Sequence, residues 1–319
     1  MTERVSCMGY LKLDYLPYEE REPNTQYRDV LAAIMDRGQW SEVTRQGERA
    51  KTLLGVQMRF DILRDGFPLI TERKIAFWRK AINELGAMIN GVHTIEAFEY
   101  WGVNWWSDWG TEAKCSKRGL PTGDIGPASY GPMFHDWPDF DGSSYDQFAH
   151  LVQQITEFPN DRTHVVSPWH SAGLARDSGR LNKATIAPCH GWVQVRILNG
   201  KLNLHMKQRS GDVPIGVPSN LVQYAALMLL LCTLTGYEPG EYIHYIVDAH
   251  IYEGQMQYVE RMLEREPRRL PNMRFGPDVF EWSPPVPHDS EAIHKLHGGL
   301  FMLSNYDPHE PISEIPVLP

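Results

Sequence analysis

A cysteine and a histidine stand side by side at Cys189 and His190, directly after Pro188 in the stretch APCHGW. A thiol beside a basic ring suggests nucleophilic catalysis, because the thiolate is the reactive form and nearby cations lower its pKa. A buried cysteine that packs as a small apolar group is the alternative. Pro188 restricts the backbone at the entry to the next strand, which favours a thiol held in a defined place.

Polar side chains suited to a small anionic ligand follow in QRSGDVPIGVPSN, at 208–220. Arg209 and Ser210 offer a planar cationic fork and a hydroxyl, which together suit a phosphate. Asn220 has an acceptor and a donor on its amide, as the edge of a uracil ring requires. Singly, Arg209 is also explained as an ion-pair partner, Asp212 as a turn residue beside Gly211, and Asn220 as a helix cap. Their closeness to the thiol in sequence favours a nucleotide-binding site.

Composition limits the function classes open to this 319-residue chain. Its net charge of −9 argues against a nucleic-acid-binding face, although a local cluster of arginines can still hold a small anion. Four cysteines without a C-x-x-C pair argue against a zinc site and a disulfide scaffold, and they favour the reducing cytoplasm. The N-terminus lacks a signal-peptide pattern, and the longest apolar run, AALMLLLC, is too short for a membrane span.

The elements that must position these residues are predicted from hydrophobic spacing. Helical periodicity predicts helices at 27–35, 77–89, 145–158 and 220–234, the last apolar on nearly all sides. Strands are predicted at 52–62, 164–168, 192–198, 202–207 and 242–247. Asn199-Gly200 predicts a tight hairpin between two of these strands. Segments 110–145 and 265–319 are predicted loops, and we expect one α+β domain around a substantial sheet.

The motifs of this chain resemble those of the thymidylate synthase family. Besides the two stretches above, YIHYIVDAHIYEGQ, DGFPLITERK, NELGAMING, GVNWWSDW, GDIGPASYG and the tail YDPHEPISEIPV follow the family's order at similar spacing. The resemblance extends from about Tyr27 to Val317. It implies an N-terminal extension over 1–26 and a catalytic domain over 27–319. The implied fold is α+β, a large mixed sheet with flanking helices, in a homodimer formed sheet to sheet.

The resemblance also implies a reaction, the transfer of a one-carbon unit from 5,10-methylenetetrahydrofolate to C5 of a pyrimidine nucleotide. Cys189 matches the nucleophile that adds to C6 of the ring, a step that needs nearby arginine charge. Glu84 matches the carboxylate that organises proton transfer around the pyrimidine O4, and His190 and Tyr130 resemble residues that line this network. The catalytic residues that the family implies also include Asp212 and Asn220.

Other positions match the family's ligand contacts. For the nucleotide these are Arg45, Arg162, Arg209, Ser210, Asn220, His250 and Tyr252. For the folate these are Trp106, Trp109, Asp212, Gly216, Ser219 and Val317. Arg162 resembles an arginine that the second subunit contributes, and Val317 lies in a tail that closes over the bound ligands. The expected partners are therefore a nucleotide, a folate and a second copy of the chain, without metal, membrane or nucleic acid.

Some positions around the ligands depart from the family pattern. Thr163 replaces a second phosphate-binding arginine, and Arg49 or Lys51 can supply a phosphate contact in its place. Trp105 and Ser219 replace an aliphatic and an aromatic residue beside the folate. A hydroxyl at 219 can loosen the folate and admit water, whereas hydride transfer needs alignment to within about an ångström. We therefore expect 5-hydroxymethylation, in a bacterial or virus-infected cell that makes modified bases, with reductive methylation of dUMP to dTMP as the alternative.

Asn220 also predicts the base, because an aspartate at this position would accept from the N4 amino group of cytosine. We expect dUMP rather than dCMP or CMP. Two other function classes stay open. One is a cysteine hydrolase with Cys189, His190 and Asp248, which is weakened because neighbouring side chains in a strand point to opposite faces. The other is a binding protein without activity, against which the retention of the thiol and its polar neighbours argues.

Overall fold

The computed structural model describes residues 11, 13–44, 46–176, 179–276 and 289–318. Its α-helices are α1 (Gln26–Arg37), α2 (Ile62–Asp65), α3 (Trp78–Ile89), α4 (Ile95–Tyr100), α5 (Glu112–Ser116), α6 (Tyr130–His135), α7 (Gln147–Glu157), α8 (Ser171–Leu174), α9 (Gly216–Thr235) and α10 (Met256–Leu263). Its β-strands are β1 (Gln39–Trp40), β2 (Ala50–Asp61), β3 (Trp137–Pro138), β4 (Ser144–Tyr145), β5 (Val165–Val166), β6 (Trp192–Leu198), β7 (Lys201–Asp212), β8 (Glu238–Tyr252), β9 (Asn272–Phe275) and β10 (Phe301–Ser304). Short 3₁₀ turns include Ser107–Trp109, Glu253–Gln255 and Ser290–Lys295.

Six strands form one large sheet in the order β1-β2-β8-β7-β6-β5. The neighbours β7 and β8 run parallel, whereas the other adjacent pairs of this sheet are antiparallel. Helices pack against it, with α1 on β2 and α9 on both β7 and β8. The expected α+β architecture, a large mixed sheet with flanking helices, is confirmed.

The helix α9 connects the two parallel strands. Parallel neighbours cannot be joined by a tight turn, so their connection has to cross over the sheet. By length and composition α9 could cross a membrane, but 89% of its most apolar window is buried inside the fold. It ends at Gly236, whose φ of 74° lets its N–H donate to the carbonyl of Cys232. The predicted interior helix is confirmed, and it begins earlier than predicted, at Gly216.

The hairpin between β6 and β7 turns at Asn199 and Gly200, which take φ values of 52° and 76°. This confirms the Asn-Gly turn, since such a turn requires positive φ at both residues. The strands β7 and β8 continue beyond their predicted ends, to Asp212 and Tyr252. Polar residues interrupt the apolar alternation there, and these polar ends carry several of the predicted site residues.

The segments predicted as loops contain short elements of their own. The helices α5 and α6 and the β3–β4 pair occupy parts of 110–145, and β9 pairs with β10 within 265–319. Partners such as Phe275 and Phe301 are far apart in sequence, so local spacing cannot indicate their pairing. The strand predicted at 164–168 is only the two-residue β5.

Residues that precede α1 pack onto the body of the protein. Tyr15 Oη donates to the carbonyl of Met273 at 2.7 Å. Arg21 is 2% exposed, and its guanidinium donates to the carbonyl of Leu270 and to Asn272 Oδ1 in β9. This segment therefore belongs to the packed structure, although its sequence carries no strong periodicity.

Candidate active site

The half-buried thiol of Cys189 lies at the end of the loop that leads into β6. Its backbone is fixed on both sides, because the Cys189 N–H donates to Tyr130 Oη at 2.6 Å and its carbonyl accepts from the Arg209 N–H at 2.7 Å. Gly191 makes the turn into the strand with a φ of 100°. A Cβ there would lie 2.7 Å from the Phe134 ring, so only glycine fits. These neighbours hold the thiol in one place.

The side chain of Arg209 reaches from β7 to the thiol. Its Nη2 donates to Cys189 Sγ at 3.2 Å and to the carbonyl of Ala187 at 2.9 Å. Its Nε donates to the carbonyl of Pro188 at 2.8 Å. Burial raises the pKa of the Cys189 thiol, and the Arg209 charge acts against this increase. A fixed cation thus stabilises the thiolate that a sulfur nucleophile requires.

His190 is not positioned as a base for the thiol. Its Nδ1 lies 2.7 Å from Tyr224 Oη. Burial lowers the pKa of His190 to about 3, so its ring is neutral at pH 7. Asp248 instead contacts His250, with Oδ1 and Nδ1 3.0 Å apart. Among these described residues, the hydrogen bonds of a hydrolase triad with Cys189 are not formed.

Glu84 is buried in the middle of α3 and accepts hydrogen bonds on both oxygens. Its Oε1 accepts from the indole N–H groups of Trp105 at 2.6 Å and Trp106 at 2.7 Å. Its Oε2 accepts from Gln223 Nε2 at 2.6 Å. Burial raises the pKa of Glu84, and the three hydrogen bonds act against the increase. A buried carboxyl with a raised pKa is a candidate for proton transfer.

Three side-chain amides in a row fix the orientation of Asn220. Its Nδ2 donates to Gln223 Oε1 at 2.9 Å, and its Oδ1 accepts from Gln208 Nε2 at 3.0 Å. Gln223 cannot be reversed, because its Nε2 already donates to Glu84 and to the carbonyl of Ala81. The Asn220 amide therefore presents its remaining N–H and lone pair in one defined orientation.

This row of hydrogen bonds continues into the sheet through neutral groups. His244 Nε2 lies 2.9 Å from Gln208 Oε1, and His244 Nδ1 lies 2.8 Å from Tyr242 Oη. Burial lowers the pKa of His244 to about 3, so the ring carries no charge at pH 7. The network thus orients its members without changing their charge.

Asp212 ends β7 immediately before the start of α9. Its Oδ1 accepts from the Ile215 N–H at 3.2 Å, and its Oδ2 accepts from Gln255 Nε2 at 2.9 Å. Burial raises the pKa of Asp212 to about 6. Gln255 Nε2 also donates to the carbonyl of Pro316 at 3.0 Å, which docks the C-terminal tail beside this carboxyl.

The first turn of α9 is open on the side of Gly216. The nearest neighbour of a Cβ at Gly216 would be Asn220 Oδ1, at 3.9 Å. Ser219 is half-buried in the same turn, and Val317 in the docked tail is exposed. An open face beside a carboxyl and a tail is compatible with the flat ring of a folate.

The carboxyl ends of β7 and β8 bring further predicted residues together. In the register of the two strands, His250 lies opposite Asp212, and Ser210 lies opposite Asp248. The rings of His250 and Tyr252 are in contact, with centroids 5.1 Å apart. Ligands of sheet proteins often bind at the ends of parallel strands, and the predicted sugar and phosphate contacts lie at such an end.

The tryptophans predicted to contact folate are engaged with protein groups. Trp106 is buried, and besides its hydrogen bond to Glu84 it stacks on Phe98 with centroids 5.1 Å apart. The ammonium of Lys114 lies over the Trp109 ring, 4.1 Å from its centroid. In this structure Trp106 therefore supports the carboxylate of Glu84 rather than lining an open surface.

One predicted phosphate ligand, Arg162, is not joined to the thiol within the chain. Arg162 lies on an exposed turn before β5, where its backbone carbonyl accepts from Gln194 Nε2 at 2.9 Å. In the part of the chain that the structure describes, no contact links its side chain to Cys189. Arg45 lies outside the described residues.

The two candidates for an additional phosphate contact differ in their surroundings. The ammonium of Lys51 donates to the carbonyl of Met35. Arg49 is exposed, and its guanidinium lies over the Trp40 ring, 4.4 Å from the centroid. Arg49 is therefore the better placed of the two for an anion that arrives from solvent.

Three polar members of the site were not predicted from the sequence. Gln208, Gln223 and Tyr224 are all buried, and each makes a hydrogen bond to a predicted site residue. One sequence feature points to Gln223 as a site residue. It lies in a helix that is apolar on nearly all sides, and buried glutamines are uncommon.

A family model described as thymidylate synthase matches residues 25–317 of this chain. The match includes the thiol loop, the helix that carries Glu84, the first turn of α9 and the docked tail.

Proposed function

Because the chain belongs to the thymidylate synthase family, whose members are folate-dependent one-carbon transferases, we propose that it converts dUMP to 5-hydroxymethyl-dUMP. The one-carbon donor is 5,10-methylenetetrahydrofolate, and water supplies the oxygen of the new hydroxyl group. The contact between Cys189 and Arg209 carries the proposal, because it provides a cation to the thiol that this chemistry requires.

In this proposal Cys189 adds to C6 of the uracil ring. A sulfur–carbon bond forms, and the electrons of the C5–C6 double bond move towards C5 and O4. Glu84 and Asn220 stabilise the charge that develops on the ring oxygen, directly or through water, because both are held by fixed hydrogen bonds. His190 is neutral at pH 7, so in this proposal Arg209 is the cation that stabilises the thiolate.

The preference for uracil rests on the fixed Asn220 amide. Its free N–H can donate to O4, and its free lone pair can accept from N3–H of uracil. Cytosine presents an amino group at position 4 and an unprotonated N3, which reverses both requirements. Because Gln208 and Gln223 prevent the amide from turning round, the mismatch with dCMP cannot be relieved locally.

Hydroxymethylation is supported by polar groups on the side chains proposed to contact the folate. Apolar side chains at these positions would favour hydride transfer instead. Ser219 supplies a small hydroxyl next to Asn220. The indole N–H of Trp105 donates to Glu84, a hydrogen bond that an aliphatic side chain at this position could not make. Looser and more polar packing around the folate admits water to the one-carbon unit. It also weakens the alignment of the folate with that unit, which hydride transfer needs.

Reductive methylation of dUMP to dTMP is the alternative, and the docked tail favours it. Ile312 and Ile315 are buried, and the carbonyl of Pro316 accepts from Gln255. A tail held in this way excludes water from the bound ligands, which protects hydride transfer.

Product analysis distinguishes the two outcomes. The protein is incubated with dUMP and methylenetetrahydrofolate, and the nucleotide is examined by mass spectrometry. Addition of CH₂O with release of tetrahydrofolate supports the proposal, whereas addition of CH₂ with formation of dihydrofolate establishes the alternative. Cys189→Ser protein should form neither product. Turnover of dCMP in preference to dUMP would refute the role given to Asn220.

The proposal includes a cytoplasmic homodimer in which Arg162 reaches the nucleotide of the neighbouring subunit. The exposed position of Arg162 agrees with this role. Arg49 is proposed to bind the phosphate in place of the arginine that Thr163 replaces. The unpaired thiols of Cys115, Cys189 and Cys232 agree with a reducing compartment.

A further inference from the structure

A second group of polar side chains meets outside the proposed active site, at His135, Asp146 and His294. His135 ends α6, Asp146 is the N-cap of α7, and His294 lies in the 3₁₀ turn Ser290–Lys295. The nitrogen and oxygen atoms suited to metal binding all lie within 4.8 Å of one another. His294 Nε2 is 2.7 Å from Asp146 Oδ2, and His135 Nε2 is 3.7 Å from the same oxygen.

Each imidazole is oriented by a carboxylate on its other nitrogen. His135 Nδ1 lies 3.0 Å from Asp136 Oδ1, and His294 Nδ1 lies 3.3 Å from Glu291 Oε2. Both Nε2 atoms consequently point towards one oxygen of Asp146. Metal-binding histidines are commonly held in this way, with the second ring nitrogen donating to a carboxylate.

This orientation requires a positive charge between the three groups. A neutral imidazole that donates from Nδ1 has a lone pair on Nε2, and two such lone pairs would face a carboxylate oxygen. Either a proton or a metal ion removes this conflict.

We propose that His135, Asp146 and His294 form a site for a divalent transition metal of the zinc type. Two imidazole nitrogens and one carboxylate oxygen suit such ions, and one position remains for water. The side chains are 38%, 20% and 18% exposed, so an ion can enter from solvent. Ligand atoms around tetrahedral zinc lie roughly 3.3 Å apart. The three ligand atoms here are at most 4.8 Å apart, so closing each separation to that value needs a change of no more than about 1.5 Å.

The three ligands sit on segments that are already held. Asp146 Oδ1 accepts from the Ala149 N–H at 2.8 Å, which leaves Oδ2 for the ion. The carbonyl of His294 accepts from Asn90 Nδ2 at 2.8 Å, at the end of α3. The role of the ion is structural, because it ties α6 and α7 to the turn Ser290–Lys295 and does not reach the thiol.

Calorimetric titration with zinc chloride at pH 7.5 tests the proposal on full-length Cys189→Ser protein, in which the reactive thiol cannot bind the ion. We expect one zinc per chain and a rise in the melting temperature. Asp146→Asn keeps an oxygen to cap α7, and His294→Gln keeps a polar side chain, yet each should weaken binding about 100-fold. Glu291→Gln, which alters only the orientation of His294, should weaken it about tenfold.

His150→Gln is the matched control, because this histidine lies on α7 with its ring against Tyr145 and should not change zinc affinity. Cobalt(II) provides a second measurement, since a tetrahedral site gives strong visible absorption that His294→Gln should abolish. Zinc affinity that is the same in Asp146→Asn and His294→Gln would overturn the proposal, as would the absence of binding to the parent protein. The cluster would then be a protonated histidine paired with a carboxylate.

Discussion

Gln223 joins the two residues that would share the chemistry of the pyrimidine ring. Its amide donates to Glu84 at 2.6 Å and accepts from Asn220 at 2.9 Å. An ionised carboxylate can only accept hydrogen bonds, so Glu84 determines which end of Gln223 faces it. Together with the carbonyl of Ala81, the carboxylate thereby fixes Gln223 and, through it, the Asn220 amide that is proposed to bind the base.

Replacing Gln223 by methionine keeps the length of the side chain and removes its three hydrogen bonds, to Glu84, Asn220 and the carbonyl of Ala81. Asn220 then loses the partner that prevents its amide from turning round, and Glu84 loses one donor. We expect the preference for dUMP over dCMP, measured as a ratio of kcat/KM values, to fall about tenfold. Gln153→Met removes a comparable hydrogen bond from an exposed helix face, to Glu157, and should leave the ratio unchanged. An unchanged ratio in Gln223→Met would contradict this role.

We expect the folate binding proposed at Asp212 to depend on pH. Burial raises its pKa to about 6, so the carboxyl is mostly ionised at pH 7 and mostly protonated at pH 5. A pterin that donates hydrogen bonds to this group should bind more weakly as pH falls through 6. Tetrahydrofolate titrations of Cys189→Ser protein with dUMP present measure this directly. We expect affinity to fall about tenfold from pH 7 to pH 5, and Asp212→Asn to bind weakly without this dependence.

Among the elements, the β7–α9–β8 unit determines where the site can lie. Two parallel strands end side by side, and α9 begins immediately after the first of them. Asp212 and His250 are therefore paired in register, and Asn220 lies near the start of the helix that connects their strands. The thiol loop joins this group from the preceding hairpin strand, through the contact of Arg209 with Cys189.

The turn into β6 depends on Gly191, and Gly191→Ala should disturb it. A Cβ there would lie 2.7 Å from the Phe134 ring and 3.0 Å from Tyr224 Oη, at a φ of 100°. We expect a loss of about 2–4 kcal/mol in the free energy of unfolding by urea, together with loss of activity. Gly200→Ala is the matched control, since its φ is also positive but a Cβ would meet nothing within 4 Å. It should cost about 1–2 kcal/mol and retain activity. Equal losses of unfolding free energy in both variants would show that Phe134 and Tyr224 do not exclude a Cβ at position 191.

Local patterns predict part of this architecture. Apolar spacing predicts the long helices, and Asn199-Gly200 predicts its hairpin, because both signals arise within a few residues. The parallel pairing of β7 with β8 and the pairing of β9 with β10 are long-range, so spacing alone does not reveal them. The sequence predicts Glu84 and Asn220 as site residues through family motifs, but the connection through Gln223 requires coordinates. Trp105 is predicted beside the folate, whereas its indole also supports Glu84.

For the whole molecule, the segment before α1 and the strand β9 act as one structural unit. Arg21 is the centre of this unit, since its buried guanidinium donates to Leu270 and Asn272. Arg21→Met keeps the aliphatic stem and leaves these buried acceptors without a partner. We expect it to lower the free energy of unfolding by about 2–4 kcal/mol in urea at a fixed protein concentration.

Arg268→Met is the control for this measurement. Arg268 forms an ion pair with Asp307 at 2.9 Å, and the Asp307 side chain is 70% exposed. Exposed pairs contribute little, so its loss should change stability by less than about 1 kcal/mol. If Arg21→Met lowers stability as little as Arg268→Met does, the segment before α1 is not integral to the fold.

The hydrogen bond from Tyr15 to Met273 spans 258 positions of the chain. At a synthesis rate of about 5–20 residues per second, the N-terminal segment leaves the ribosome roughly 10–50 s before its docking partner exists. Throughout that interval the nascent chain carries Tyr15 without the strand that later accepts its hydrogen bond. The segment around Tyr15 is thus made early and is among the last parts of the chain to reach its native place.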